Sequence, residues 1–393
     1  MNKVILFANT DWYLYNFRLS LANRLRDLGH EVILLSPPGE YGTRLIELGF
    51  RWHAVPMVRR SLNPLRELNL VLWLARFFRA EQASLVHGFT IKSAVYGSLA
   101  ARLAGVPARV NSVAGLGYVF TSRDMKARFL RPVVRQVLRL ALDGENCALI
   151  LQNPDDVAMF KSARLANEQA IHLIKGSGVN CARFTAPPAD APLSHAPLRV
   201  LLAARMLWDK GIAEFIEAAR VLKREGRTIR FILAGTPDAG NPASIEQSTI
   251  EGWVKEGLVE WRGHVGDMPG LFAETDVMAL PSYREGLPKS LIEAAACALP
   301  LITTDAPGCR EVVSRNGEDG LVVPVRNATA LADAIRLLDD DRPLARKLGL
   351  AAREKALREF DEAIVIDRTL AVYRALAPAT STASAPASVE ITP

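Results

Sequence analysis

The chain has 393 residues, 49% of them apolar and 23% charged, with a net charge of +6. That length exceeds what one core ordinarily fills, so two domains are expected, and the balance excludes a disordered chain. Four cysteines (Cys147, Cys181, Cys297, Cys309) lack CxxC or metal-like spacing and read as packing residues of a reducing compartment.

Strands and helices alternate from the start. "KVILFAN" reads as a first strand rather than a leader, "RLSLANRLRDLG" as an amphipathic helix closed by Gly29, and "HEVILLSP" as the next strand. "PLRELNLVLWLARFFRAE" opens on Pro64, a favoured first helical residue, and "SLVHGF" leads into "TIKSAVYGSLAARLAG". "ARVNSV" and "CALILQN" continue the series. The βαβ rhythm predicts a parallel, doubly wound sheet over residues 1–185. Residues 184–200, "FTAPPADAPLSHAPLRV", are rich in Pro and Ala, and a linker is placed at 186–197.

A second series follows over 198–362: "LRVLLAAR", "IRFILAG", "LVEWRGH", "DVMALPS" and "LPLITTD". One long helix is predicted over about 343–377, its last part (363–377) packing back on the first domain. The Ser/Thr/Ala/Pro tail 378–393 reads as disordered. Two α/β domains of this kind face a cleft, with ligands beyond the carboxyl ends of the strands.

In "LLAARMLWDKGIAEF" a buried strand is followed by Arg205 and Lys210 on one loop. Cations there, beside a helix N-terminus, suit a diphosphate; they are equally read as surface charges. "SYREGLPKSLIEAAACALPLITTD" adds Glu285 and Gly286 on a loop, Pro288 as first helical residue, and Glu293 in the second turn. Glu293 suits a vicinal diol such as ribose, and Glu285 suits sugar hydroxyls or nearby amides. A lone glutamate here is usually a solvated helix charge.

In the frame that follows Arg-x4-Lys, "PSYREGLPKSLIEAAACALPLITTDAPGCRE", the chain resembles the retaining glycosyltransferases of family 4. The resemblance implies the GT-B fold, two Rossmann-like doubly wound domains facing a cleft. It implies that Arg205 and Lys210 hold the leaving diphosphate, Glu293 the ribose and Glu285 the region of the donor sugar. Gly286, Leu287 and Pro288 lie under the donor, and Gly263, His264 and Val265 lie at the base. No Asp-x-Asp motif stands in a suitable loop, so no metal or other cofactor is expected, the two cations standing in its place.

The first loop, "NTDWYLYNFR", lacks the glycines that family members often have there. With "VHGFTIKSAVYGSLAARLAGVPARVNSVAGLGYVF" and "IKGSGVN" it resembles a subgroup that includes bacterial N-acetylgalactosaminyltransferases extending undecaprenyl-diphosphate-linked sugars. That implies a UDP-hexosamine donor and a polyprenyl-diphosphate-linked saccharide acceptor, with a soluble acceptor or another nucleotide-sugar as the alternative. His87 is expected to end its strand facing the cleft, near the donor sugar or the attacked hydroxyl, or to be structural. Arg18, Lys92 and Trp12 are acceptor-side candidates, and Gly115–Gly117 a loop near the acceptor or a turn.

Charge is unevenly spread. Residues 1–182 hold 23 Lys/Arg against 13 Asp/Glu, and the remainder 25 against 29. The first half should face something anionic. In "RFLRPVVRQVLRLALD" the residues Arg128, Arg131, Arg135 and Arg139 form a stripe beside an apolar face, as in helices that lie on anionic bilayers. Arg59, Arg60 and Arg66 add to it; an ordinary helix with solvated arginines is the alternative. No run approaches the roughly 18 apolar residues of a spanning helix. The expected place is the cytoplasmic face of a bacterial plasma membrane, with no nucleic-acid partner.

Overall fold

The computed structural model describes residues 3–59, 61, 63–113, 125–188 and 197–376, without the side chains of 125–133. Two parallel sheets carry the fold. The first holds β1 (Lys3–Phe7), β2 (Glu31–Ser36), β3 (Arg51–Ala54), β4 (Leu85–Phe89), β5 (Ala108–Val113), β6 (Cys147–Leu151) and β7 (Ile171–Leu173). Their order is β3-β2-β1-β4-β5-β6-β7. The second holds β8 (Leu198–Ala203), β9 (Ile229–Ala234), β10 (Glu260–Trp261), β11 (Val277–Leu280), β12 (Leu301–Thr304) and β13 (Leu321–Val323), in the order β10-β9-β8-β11-β12-β13.

Helices cover both faces of each sheet, so the central strands are buried throughout, and β6 and β11 read as unbroken apolar runs. Strand order reverses between β1 and β4, and again between β8 and β11. At such switch points the loops diverge and leave a crevice beyond the carboxyl ends.

Three edge strands (β3, β7 and β13) add to the predicted set, and β10 shrinks to two residues. The helix predicted over 343–377 is broken. Helix Arg342–Lys355 runs into a π-helical turn, Ala356–Phe360, and a new helix starts at Glu362. Asp361 interrupts it with extended backbone (ψ 138), its carboxylate accepting from the Ala363 amide at 2.9 Å.

Helix Glu362–Leu376 lies against the first sheet: Val365, Leu370 and Tyr373 join the core built on Leu6, Phe89 and Val110. Ser20 donates to Glu362 at 2.6 Å. The chain thus crosses between the lobes twice, at Val179 and at Asp361, and the crossings pair as a β-bridge. Gly178 sits at φ +78°, and a Cβ there would fall 2.5 Å from the Glu362 Cα, so only glycine fits.

Candidate active site

The loops leaving β8 and β11 meet at the switch point of the second sheet. Gly211 has φ +73°, and a Cβ there would lie 2.0 Å from the Pro281 carbonyl oxygen. Backbone contact brings Lys210 to Glu285: Nζ donates to Oε1 at 2.5 Å, and Ser282 Oγ donates to the same oxygen at 2.8 Å. Each of the paired side chains is only 14% exposed. Arg205 stands further out, 59% exposed, with Nη1 donating to Asp238 at 2.8 Å.

Helix Lys289–Ala296 begins four residues after Glu285. Pro288 is the N-cap, one place before the predicted position, and gives no side-chain cap, so the first-turn amides are not capped from there. With the helix dipole they favour an anion. Glu293, one turn in, is largely buried, with Lys289 Nζ at 3.6 Å. Burial pushes its pKa up, against the pull of Lys289. The loop after β10 completes a row. The Gly263 carbonyl accepts from the Gly235 amide at 2.7 Å, and Gly235 (φ +137°) abuts the Ala204 carbonyl. His264 is exposed and Val265 half-buried beside it.

The first lobe holds the Glu285 loop. Asn153, fully buried, donates to the Gly286 carbonyl at 2.8 Å, and its Oδ1 caps the following helix through the Asp156 amide at 2.8 Å. Arg284 pairs with buried Asp156 at 2.5 Å and Arg310 with Asp155 at 3.3 Å. Gly176 (φ +73°) packs on Leu287, and Lys289 reaches the Asn16 carbonyl at 2.7 Å over the Phe17 ring. Sequence reasoning missed Asn153, Asp156 and Arg284. "NPDD" signals a helix cap, but nothing local tells that the cap reaches another lobe.

Two expectations are corrected in the first lobe. His87 does not face the cleft. It lies within β4, wholly buried, with Nδ1 2.6 Å from the Tyr373 hydroxyl and Nε2 2.7 Å from Ser112 Oγ. Burial, then the Arg18 charge, holds its pKa well below the usual value, so the ring is neutral. Lys92 has no donor left for a phosphate, since its ammonium serves the Val58 and Ser61 carbonyls and Glu67, at 2.7, 3.0 and 2.9 Å. Arg18 is buried with its guanidinium 4.2 Å over Phe89, while Trp12 is exposed. Arg135 and Arg139 are exposed. The side chains of Arg128 and Arg131, and the whole of Arg60, Gly115–Gly117 and the tail from 377, lie outside the described residues.

Residues 3–153 match the family model "Glycosyl transferase 4-like", and residues 197–341 match "Glycosyl transferases group 1". This chain belongs to the glycosyltransferases. The N,N'-diacetylbacillosaminyl-diphospho-undecaprenol alpha-1,3-N-acetylgalactosaminyltransferase of Campylobacter jejuni is 32% identical to the glycosyltransferase described here. The match covers 92% of this chain and 95% of that protein. Two solved structures share its GT-B fold. The glycosyltransferase from Rickettsia africae has a TM-score of 0.74 at 19% identity, over 96% of this chain and all of that one. Anabaena Alr3699/HepE in complex with UDP and glucose has a TM-score of 0.71 at 20% identity, over 94% of this chain and 99% of that one.

Proposed function

We propose that this glycosyltransferase moves a hexosamine, N-acetylgalactosamine or a close relative, from a UDP-sugar to an undecaprenyl-diphosphate-linked saccharide in bacterial surface-glycan assembly. The observation that carries the reading is the near full-length match to an enzyme named for that sugar and that class of acceptor. The site supports it. Breaking a glycosyl–phosphate bond puts negative charge on the departing diphosphate and positive charge on the sugar. Arg205, Lys210 and the first-turn amides of helix Lys289–Ala296 meet the diphosphate with little reorganisation. Glu293 takes the ribose, the backbone of Gly263, His264 and Val265 the base, and Gly286, Leu287 and Pro288 the floor beneath.

Glu285 holds the Lys210 ammonium in place, and turns to the donor when a phosphoryl oxygen replaces it there. The acceptor hydroxyl attacks from the leaving-group side, so configuration is retained without a protein nucleophile. Because the two cations neutralise the diphosphate, a chelator leaves the rate unchanged. His87 acts behind this surface as a neutral, hydrogen-bonded support, and Arg18 and Trp12 remain on the acceptor side. Among the described residues no helix is long and apolar enough to cross a membrane. The basic stripe of Arg128, Arg131, Arg135 and Arg139 holds the protein to the anionic inner face of the plasma membrane.

Purified protein with UDP-N-acetylgalactosamine and other UDP-sugars, offered a polyprenyl-diphosphate-linked or a lipid-free saccharide, tests this. Transfer to the lipid-linked acceptor is expected. Equal transfer to the lipid-free sugar contradicts the acceptor assignment.

A further inference from the structure

Three helices of the first lobe, Pro64–Ala80, Ile91–Ala104 and Met125–Leu142, carry ten lysines and arginines against one acid, Glu67. That acid is already paired with Lys92 at 2.9 Å. The face they form is not merely basic. Leu65, Leu68 and Leu72 fall on one stripe of the first helix at spacings of three and four, and are 73%, 54% and 40% exposed. Leu103 and Leu140 are exposed beside them. Between the helices runs a groove of about 440 Å³, walled by Leu68, Leu99, Leu103 and Leu140 together with Glu67 and Arg102. Exposed Arg66, Arg102, Arg135 and Arg139 stand on the same three helices. Contiguous exposed leucine on a monomer's surface marks a contact site.

We propose that this face inserts into an anionic phospholipid bilayer, the Leu65–Leu68–Leu72 stripe entering among the acyl chains while the arginines meet the headgroups. The inference rests on the membrane reading above and adds to it: attachment is partly hydrophobic, and it runs through the leucine stripe of helix Pro64–Ala80, where that reading had counted only Arg66. Charge chooses the occupant. A protein partner would need a matching acidic surface, whereas an anionic bilayer meets the exposed arginines and the leucine stripe with both its layers. The Pro64 end of the stripe lies beside Lys92, which opens the helix after β4 at the first switch point. Insertion there brings the membrane surface to the rim of the crevice, where a lipid-linked acceptor would present its diphosphate.

The test compares full-length wild type, Leu65→Glu/Leu68→Glu and Arg135→Glu/Arg139→Glu for co-sedimentation with vesicles. One set of vesicles is of anionic phospholipid and the other of phosphatidylcholine alone. Both leucines are exposed, so an unchanged melting temperature and unchanged UDP protection confirm folding. The leucine variant is expected to lose roughly tenfold or more of its partitioning. In 1 M salt, where screening shortens to about 3 Å, the wild type keeps a residual binding that the leucine variant lacks. Wild-type binding by Leu65→Glu/Leu68→Glu overturns insertion and leaves the electrostatic reading standing. No vesicle binding by the wild type overturns both. Dimerisation of the wild type that the leucine variant abolishes, without a change in vesicle binding, assigns the face to a second copy and also overturns the proposal.

Discussion

Lys210 Nζ sits 2.5 Å from Glu285 Oε1, joining the loops that leave β8 and β11 where the second sheet reverses its strand order. The pair is held from below by Ser282, and both loops are in backbone contact at Gly211 and Pro281. A cation set this firmly loses little freedom when it exchanges a carboxylate for a phosphoryl oxygen.

Lys210→Met should therefore lower kcat/KM by about 10²–10³, the effect of deleting one preorganised charge-stabilising group. The exchange Lys210→Glu/Glu285→Lys separates chemistry from structure. It should recover much of the melting temperature lost in Lys210→Glu while leaving activity low. Recovery of activity along with stability would show the pair to be structural only.

Glu293 gives a pH signature. Its folded pKa is raised by burial, so between the unfolded value of about 4.5 and the raised folded value the native state binds more protons than the unfolded one. Stability from this group is present below that window and is lost as pH rises through the folded pKa. Glu293→Gln should melt higher than wild type at neutral pH, with the advantage vanishing as pH falls toward 4.5. The same variant should lose the stabilisation that UDP confers. Thermal melts across pH, with and without UDP, check both.

Asn153 works at a distance from the donor. Asn153→Ala removes the hydrogen bond to the Gly286 carbonyl and the cap on helix Pro154–Ser162. A loss of about 1–2 kcal/mol is expected, seen as a donor KM raised roughly tenfold with a smaller change in kcat. Asn153→Asp keeps the cap acceptor but sets a carboxylate against the Gly286 carbonyl and the buried Asp156, so it should restore neither stability nor KM.

His87 and Tyr373 form a buried support. Tyr373→Phe strands the His87 ring nitrogen and should cost about 1–3 kcal/mol in denaturant unfolding. Because His87 stays neutral in the fold, the unfolded chain takes up a proton below about pH 6.5 that the native state refuses. Stability from this group is present above that pH and is lost as pH falls. His87→Phe should flatten that part of the stability profile between pH 6.5 and 5.

The alternation of strands and helices was legible because buried parallel strands such as "CALIL" and "VMAL" are continuous apolar runs. The edge strands were not: "RWHA" is half-exposed and "IHL" has three residues, too little for a periodic signal. Lys210 and Glu285 could be placed near each other because both follow strands that end at one switch point. The setting of His87 could not, since its partner Tyr373 is 286 residues away and sits on a helix whose start depends on Asp361. Lys92 misled for the same reason, its three acceptors all lying between 25 and 34 residues upstream.

The structure of the protein bound to UDP tests the centre of the account most directly. The diphosphate is expected between Arg205, Lys210 and the first-turn amides of helix Lys289–Ala296, with both ribose hydroxyls on Glu293. A nucleotide seated in the first lobe, or one that leaves the Lys210–Glu285 pair intact and Glu293 without a ligand, would contradict it.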